Sequence, residues 1–376
     1  MNFSYFATVA RGLETIAANE LESLGAKEVR ADFTGVHFVG DQATLYRVNL
    51  WARTIFRVLV PIKEFYCPNA EILYQEVQKI SWEAYLYPSN TLAVDCTGGG
   101  NQKLNHTHYT ALQVKNAIVD QQRLKLGQRS SIDVKNPDVL INVHIYQDHC
   151  ILSLDSSGAS LHRRGYRQAM GLAPLKETLA AALLDMAEWN PSLPFLDPLC
   201  GSGTLPLEAG LKALNIAPGL LREKFGFQSF PDFDAQLWQK LLTEAQDSRI
   251  PQLKALICGS DRDSNVLNQA QSNAEKCGIE DQIKFTQTEL SQLEAPSDRG
   301  ILICNPPYGE RLGDATELGA LYKTLGDIFK QRFKGWTAFI LTGNKELAKK
   351  VGLKASRRMP VYNGSLACTL LKYELY

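Results

Sequence analysis

The sequence predicts an α/β protein whose C-terminal part is a mostly parallel sheet with helices on both faces. Two observations support this fold class. From about residue 161, apolar strand-like runs alternate with stretches of helical periodicity, which is the pattern of a parallel sheet. Before that point, strands and helices follow one another as in two small α+β units. A chain of 376 residues is long enough for two or three such domains.

Residues 1–65 form the first predicted α+β unit. The segment YFATVA is typical of a strand, and apolar residues from Leu13 to Leu24 recur at helical spacing until Gly25 ends the helix. VRADFTGVHFVG alternates as a hairpin does, and a second helix precedes the strand FRVLVPI.

Residues 66–160 form the second predicted unit. A helix and a strand lead into the polar, glycine-rich loop TGGGNQKLNHTH, which a further helix and the strands VLINVHIY and CILSLDSS follow. Basic side chains concentrate on this loop and the helix after it, where Lys103, Lys115 and Arg123 lie.

Residues 161–376 form the predicted parallel-sheet domain. A basic connector precedes a well-patterned helix near 176–189, and five strand-like runs follow: PFLDPLC, ALICGSD, IKFTQTE, GILICNPP and TAFILTG. A last pair of strands is predicted near 355–359 and 366–374. Residues 211–252 interrupt the alternation and are predicted to form an inserted helical segment.

Bulk charge gives no support for a nucleic-acid partner, because 40 Lys and Arg balance 40 Asp and Glu. Local basic patches at 101–135, 161–176 and 345–358 can still bind phosphates, although ordinary solvated faces have a similar composition. No apolar run approaches the roughly 18 residues that span a bilayer, so no membrane partner is expected. The eight scattered cysteines form no C-x-x-C pair, which indicates reduced thiols in a cytoplasmic protein.

The positions of the histidines argue against an imidazole base in the C-terminal half and against a metal site. All six lie between His37 and His162, so a reaction in the C-terminal half uses no imidazole base from that half. His106 and His108 are close in sequence, but no cysteine or carboxylate stands at ligand spacing from them. We therefore expect no metal site.

LDPLCGSGTLPLEAG, residues 196–210, reads as a strand, a glycine-rich turn and a helix. A dinucleotide-binding turn needs a third glycine three positions after Gly203, where Pro206 stands, and a phosphate-binding P-loop needs a lysine that is missing here. Asp197 at the strand end would repel a pyrophosphate but could pair with the ammonium of an amino acid. S-adenosylmethionine has that ammonium and no phosphate.

Acidic residues also follow the next two strands. Asp261 directly follows the run ALICGS, where an acid can bind the two ribose hydroxyls. Gln287 and Glu289 end the third strand, where an amide or acid can contact the adenine amine. Because these strand ends meet at one edge of a parallel sheet, the pattern favours a nucleoside cofactor there.

NPPY, residues 305–308, ends the fourth strand of the parallel sheet. An exocyclic amine on a nucleobase is a poor nucleophile until fixed acceptors bind its two hydrogens and turn its lone pair toward the methyl carbon. Asn305 Oδ1 and the Pro306 carbonyl can be those acceptors, and Pro306 and Pro307 stiffen the backbone that carries them. Tyr308 offers a face for a flipped-out base, worth roughly 1–3 kcal/mol. Guanine N2 and adenine N6 both meet these requirements.

With these motifs in order, the C-terminal half resembles class I S-adenosylmethionine-dependent methyltransferases that act on amino groups. The motifs are DPLCGSGT, GSDRD and NPPYGERLG. Together with LHRRGYR, APLKETLAAALL and the FGFQSF…LW segment, nearly the whole chain resembles RlmL-type, THUMP-containing RNA guanine-N2 methyltransferases. The resemblance implies a ferredoxin-like subdomain at 1–65, a THUMP RNA-binding domain at 66–160 and a Rossmann-like methyltransferase domain at 161–376. It also implies S-adenosyl-L-methionine as cofactor and a guanine in 23S ribosomal RNA as substrate.

The resemblance also implies roles for particular residues. Catalysis would fall to Asn305, Pro306, Pro307 and Tyr308. The cofactor would be bound by Asp197, Pro198, Cys200, Gly201, Ser202, Gly203, Thr204, Asp261, Arg262, Glu289 and Asn305. Glu289 stands where the family often has Asp. RNA would contact Lys103, Lys115, Arg123, Arg163 and Arg164, although the arginines of the connector could instead bridge the two halves of the chain.

Two other functions stay open at this point. The substrate could be guanine N2 or adenine N6 of a transfer RNA, because the motif does not distinguish these amines. A non-catalytic RNA-binding or ribosome-assembly protein with the same fold is the alternative from a different class. A measurement of S-adenosylmethionine binding would distinguish the methyltransferase from this non-catalytic protein.

Overall fold

The structure is a computed structural model that describes residues 2–167, 175–308 and 315–376. Strands of the N-terminal part are β1 (Phe3–Val9), β2 (Lys27–Asp32), β3 (Gly35–Gly40), β4 (Ile55–Tyr66), β5 (Thr91–Gly99), β6 (Ser131–Ile132), β7 (Val139–Tyr146) and β8 (His149–Asp155). Those of the C-terminal part are β9 (Phe195–Asp197), β10 (Ile257–Asp261), β11 (Ile283–Gln287), β12 (Ile301–Cys304), β13 (Thr337–Thr342), β14 (Arg357–Asn363) and β15 (Leu366–Glu374).

The described helices alternate with these strands. They are α1 (Glu14–Ser23), α2 (Gln42–Trp51), α3 (Ala70–Gln78), α4 (Thr107–Leu126), α5 (Glu177–Met186), α6 (Thr204–Ala213), α7 (Ala235–Asp247), α8 (Ser264–Cys277), α9 (Ala315–Arg332) and α10 (Lys345–Lys350).

The two N-terminal units share one sheet in the order β2-β3-β1-β4-β8-β7-β5-β6. Strand β4 joins them, because its first half pairs antiparallel with β1 and its second half pairs antiparallel with β8. It is 12 residues long, which exceeds the predicted run FRVLVPI. The extension to Tyr66 makes the two units a single continuous layer rather than separate bodies.

The C-terminal sheet has the order β11-β10-β9-β12-β13-β15-β14, and β9 to β13 are parallel. Helices cover both of its faces, as predicted: Ile301 and Ile303 share a core with α5 and α6, and Leu302 and Cys304 share one with α9. The chain leaves β9 toward β10 on one side and returns to β12 on the other. Such a switch point opens a crevice at the carboxyl ends of the strands.

Strand β14 runs parallel to β13, since both pair antiparallel with β15. Its last residue, Asn363, therefore lies at the same edge as the ends of β9, β10 and β12. The strand extends four residues beyond the predicted 355–359 because Pro360, which interrupts the sequence pattern, is tolerated on an edge strand.

Between α6 and β10 the chain forms two 3₁₀ turns, Pro218–Leu221 and Gly226–Ser229, before α7. The aromatic residues of this segment belong to the core of the N-terminal part. Phe227 stacks on Tyr46 of α2 with ring centroids 4.3 Å apart, and Trp238 packs edge-on against both rings. The segment therefore ties the C-terminal domain to the N-terminal sheet.

The connector before α5 contributes a second tie between the two parts. The prediction that Arg164 contacts RNA is wrong, because its side chain is 1% exposed and pairs with Glu208 at 3.4 Å. Its guanidinium also donates to the carbonyl oxygens of Leu161 at 2.7 Å and Arg53 at 2.5 Å. Arg164 thus bridges the two halves, which is the other role that the sequence left open.

Candidate active site

The glycine-rich turn lies between β9 and α6. Gly201 and Gly203 both adopt positive φ, at 50° and 82°, which side chains with a Cβ rarely adopt. A Cβ on Gly203 would approach Ala270 to 2.9 Å, whereas a Cβ on Gly201 would meet no atom within 4 Å. Gly203 therefore permits close packing of α6 against α8, and Gly201 leaves space where a ligand can approach the backbone.

Side chains outside the motif hold this turn in place. Arg167 donates to the Thr204 hydroxyl at 2.9 Å and to the Glu177 carboxylate at the same distance, so it joins the connector, α5 and the turn. Asn273 of α8 donates to the Ser202 carbonyl at 3.1 Å. Glu177, the first residue of α5, is buried, and this burial raises its pKa although Arg167 opposes the rise.

Asp197 ends β9 beneath the turn and is 3% exposed. Burial raises the pKa of its carboxyl to about 8, and the nearby Asp261 adds to the rise, while the Leu199 N–H, which donates at 3.1 Å, opposes it. A buried carboxylate with so few donors favours a cationic partner. The ammonium of an amino acid would supply that charge.

Asp261 ends β10 at the same edge and is half-buried. One carboxylate oxygen accepts from the Gly201 N–H at 3.0 Å and the other accepts from the Asp263 N–H at 3.1 Å. The carboxylate keeps free lone pairs for a diol. Arg262 and Glu289 are exposed at the neighbouring strand ends.

A cavity of about 150 Å³ opens beside the turn. It is lined by Leu175, Asp197, Leu199, Cys200, Gly201, Ser202, Thr204, Leu205 and Asn305. The structure therefore brings the DPLCGSGT motif and the start of NPPY together around one space. The other predicted cofactor residues do not line it: Pro198 and Gly203 stand between lining residues in the sequence, and Asp261, Arg262 and Glu289 lie at or near the ends of neighbouring strands.

Asn305 is the residue of NPPY that reaches this cavity. Its Oδ1 is buried and has no hydrogen-bond partner among the described residues. A buried acceptor left in this state costs about 1–3 kcal/mol, and native structures rarely keep one without a reason. A donor from a bound molecule would remove that cost.

Tyr308 packs half-buried at the edge of both cores of the C-terminal domain. A Cβ on Gly343, at the end of β13, would lie 3.2 Å from the tyrosine ring. Burial raises the pKa of its hydroxyl to about 12, so the phenol stays neutral at physiological pH. Residues 309–313, the rest of the NPPYGERLG motif, and residues 168–174 of the connector lie outside the described residues.

Sequence patterns did not identify the residues that support the motifs. Leu175 lines the cavity, and Arg167 and Asn273 fix the turn, yet none of them belongs to a recognisable spacing. The one available signal was the run of arginines in the connector, which the sequence could assign equally to RNA or to domain bridging.

None of the predicted RNA contacts lines this cavity. Lys103 is exposed in the loop before α4, and Arg123 is exposed near the end of that helix, where Asp120 lies 3.8 Å away. Lys115 is half-buried on α4, and Arg163 is exposed in the connector.

The parallel sheet with this strand order, the glycine-rich turn between acidic strand ends and the asparagine at the fourth strand define a class I methyltransferase domain. The residues present fit S-adenosylmethionine, because the buried carboxyl of Asp197 could pair with an ammonium and the carboxylate of Asp261 keeps lone pairs that could accept from ribose hydroxyls. Among the described residues, no group of three or more metal-ligating side chains is found. None of the described helices combines the length and the apolar character that crossing a bilayer requires.

Three family models match the chain. The RMKL-like methyltransferase domain matches residues 164–372, the THUMP domain matches 67–155 and the RlmL ferredoxin-like domain matches 4–59. The chain therefore belongs to the family of RMKL-like methyltransferases that carry a THUMP domain, which confirms the predicted family, fold class and RNA-binding module. The finer boundaries predicted from the sequence, including the insertion at 211–252, stay predictions.

The chain is also similar to individual proteins. It is 57% identical to a putative RNA methyltransferase from Synechocystis sp., over 99% of this chain and 97% of that protein. It is 44% identical to the ribosomal RNA large subunit methyltransferase K/L of Syntrophotalea carbinolica, over 99% of this chain and 53% of that protein. The chain thus spans about half the length of the K/L relatives that it matches.

Solved structures share the whole architecture. The crystal structure of a putative methyltransferase complexed with SAH superposes with a TM-score of 0.90 at 32% identity and covers 100% of this chain and 98% of that one. A predicted N6-adenine-specific DNA methylase from Listeria monocytogenes gives a TM-score of 0.88 at 32% identity and covers 100% and 97%.

Proposed function

We propose that the chain uses S-adenosyl-L-methionine to methylate the exocyclic N2 amine of a guanine in RNA, and that this RNA is 23S ribosomal RNA. The observation that carries the proposal is the buried Oδ1 of Asn305, which has no partner among the described residues and belongs to a residue lining the same cavity as Asp197. Asp197 favours the cationic end of the cofactor, and Asn305 Oδ1 can accept a hydrogen bond from a bound molecule. An amine substrate supplies such a donor.

The side chains of the site do the positioning. When bound, the cofactor supplies the methyl carbon that the amine nitrogen attacks. Asn305 Oδ1 and the Pro306 carbonyl hold the two amine hydrogens, and Pro306 and Pro307 restrict the movement of that carbonyl. Tyr308 provides the stacking face for the extruded base. The amine becomes acidic as it is methylated, so its proton passes to water without a histidine.

Ribosomal RNA as the substrate is supported by the names of the relatives. Several proteins named as large-subunit ribosomal RNA methyltransferases align with nearly all of this chain at 39–44% identity. Guanine N2 rests on the resemblance to the RlmL type. The RNA would also contact the exposed residues Lys103, Arg123 and Arg163 and the half-buried Lys115. The eight free thiols support a cytoplasmic location.

The test is methyl transfer to 23S ribosomal RNA transcribed without modifications. We expect incorporation of labelled methyl groups, and nucleoside mass spectrometry should identify N2-methylguanosine. The Asn305→Ala variant is the matched control and should bind the cofactor without transferring methyl groups. Calorimetry that detects no cofactor binding to the wild-type protein would instead favour the non-catalytic alternative.

Adenine N6 is the second candidate, because a structural relative at 32% identity is titled a predicted N6-adenine-specific DNA methylase. The same chemistry at Asn305 would serve that amine. Detection of N6-methyladenosine instead of N2-methylguanosine in the mass-spectrometric assay would identify adenine N6 as the methylated amine. A parallel assay with unmodified transfer RNA separates the two RNA classes.

A further inference from the structure

Arg11 lies between two aromatic rings that come from different domains. Its guanidinium carbon is 5.5 Å from the ring centroid of Phe33, in the turn between β2 and β3, and 4.8 Å from that of Tyr362 on β14. We call these three residues the Arg11 stack. It joins the N-terminal sheet to the edge strand of the methyltransferase domain.

The Arg11 stack borders the catalytic motif. Tyr362 precedes Asn363, whose side-chain amide donates to the Tyr308 hydroxyl at 2.9 Å. Both residues end β14, so they lie at the same carboxyl edge of the sheet as the ends of β9 and β12, which flank the cavity. The loop that carries Arg11 is held against β14, since a Cβ on Gly12 would lie 3.2 Å from the Pro360 carbonyl oxygen.

Core packing does not explain this arrangement. Phe33 is 71% exposed, and Arg11 is exposed as well. Two carboxylates lie nearby: Glu14 accepts from the Gly12 and Thr34 N–H groups, and Asp32 accepts from the Phe33 N–H and contacts His37. Neither forms an ion pair with Arg11 among the described residues, although the charge of Asp32 acts on Arg30. The exposed side chains Arg30 and Arg358 add positive charge on the flanking strands. The surface therefore presents an accessible ring beside three exposed arginines, Arg11, Arg30 and Arg358.

We infer that the Arg11 stack is a platform for an unpaired RNA base next to the target nucleotide. The inference rests on the proposed function and extends it to a second contact with the substrate. Extruding a target base disrupts its neighbours, and unpaired bases stack on aromatic rings and on arginine planes. A single-stranded RNA segment supplies both the base for Phe33 and the phosphates for the surrounding arginines.

The test measures RNA binding without turnover. Phe33→Ser and Arg11→Gln are compared with wild type by fluorescence anisotropy, using a labelled single-stranded RNA of mixed sequence and a duplex of the same sequence. We expect each variant to bind the single strand about 5- to 150-fold more weakly, the range expected for one stacked base. Duplex affinity should change little, because paired bases are not available for stacking. Tyr362→Phe keeps the ring and should behave as wild type.

A second arm measures steady-state methylation of 23S ribosomal RNA. The two variants should raise KM for RNA by a similar factor and leave the cofactor dissociation constant unchanged. Wild-type affinity of both variants for single-stranded RNA would overturn the inference and leave the Arg11 stack as a contact for a protein. A wild-type protein that binds single strands through the stack but methylates no guanine would instead refute the proposed function.

Discussion

The side-chain amide of Asn363 donates a hydrogen bond of 2.9 Å to the hydroxyl oxygen of Tyr308. This bond connects the β14–β15 hairpin to the aromatic residue of NPPY, and the Cys368 thiol lies 3.7 Å from the same hydroxyl. The ring that we propose as the stacking face for the substrate base is therefore held in place by a hairpin that begins about fifty residues later in the chain.

Asn363→Ala should lower kcat about 5- to 10-fold, because a hydrogen bond of this kind is worth about 1 kcal/mol and the ring would lose its orientation. Cofactor affinity should not change, since Asn363 does not line the cavity. Tyr308→Phe removes the same bond from the other side and should give a similar loss. In the double variant the losses should not add. Additive losses in single-turnover assays would show that the two residues act independently.

Asn305→Ala should abolish methyl transfer and slightly stabilise the protein. The substitution removes a buried oxygen that has no partner among the described residues, so the free energy of unfolding should rise by about 1 kcal/mol. Urea denaturation of the cofactor-free protein measures this change. A variant that is less stable than wild type would show that Asn305 is bonded in the folded protein and is not held ready for a substrate.

The sequence predicted those parts of the site that depend on local pattern. The turn at Gly201 and Gly203, the acids that end β9 and β10 and the amide that ends β12 are each defined by a few adjacent residues. Parallel pairing of the strands then brings them to one edge. This is why the cofactor could be predicted without a structure.

Contacts between distant segments could not be predicted in this way. Arg164 stands in a basic segment, which is typical of a phosphate contact. Only its placement against Glu208, 44 positions later, shows that it is buried. Likewise, the sequence predicts only an inserted helical segment before α7. Its aromatic residues are core residues because α2 offers the ring of Tyr46. Burial depends on tertiary packing, which periodicity does not report.

The stability of the cofactor-free protein should depend on the pH through Asp197. Its carboxyl ionises near 3.8 when unfolded but at about 8 when folded. Between these values only the unfolded chain releases the proton, so this group lowers the free energy of unfolding as the pH rises. Asp197→Asn removes the effect. The variant should gain stability relative to wild type from pH 4 to pH 8, and a constant difference would contradict the assignment.

Cofactor binding should reverse the protonation of Asp197. At a pH of about 6.5 the ammonium of the cofactor is protonated, and its approach favours the ionised carboxylate. Calorimetry in buffers of different ionisation enthalpy should detect release of about one proton per cofactor bound. Asp197→Asn should bind more weakly and release no proton. Equal proton release by both proteins would place the titrating group elsewhere.

Arg163 and Arg164 are neighbours in sequence with opposite surroundings, and they form a matched pair. Arg164→Ala leaves Glu208 buried without its ion pair, so the protein should lose about 3–5 kcal/mol of stability. Arg163→Ala changes an exposed side chain and should cost at most about 0.5 kcal/mol. RNA affinity should respond in the opposite order, because only Arg163 can reach a phosphate. Urea denaturation and RNA binding of the folded variants measure both effects, and equal destabilisation would contradict the buried bridge.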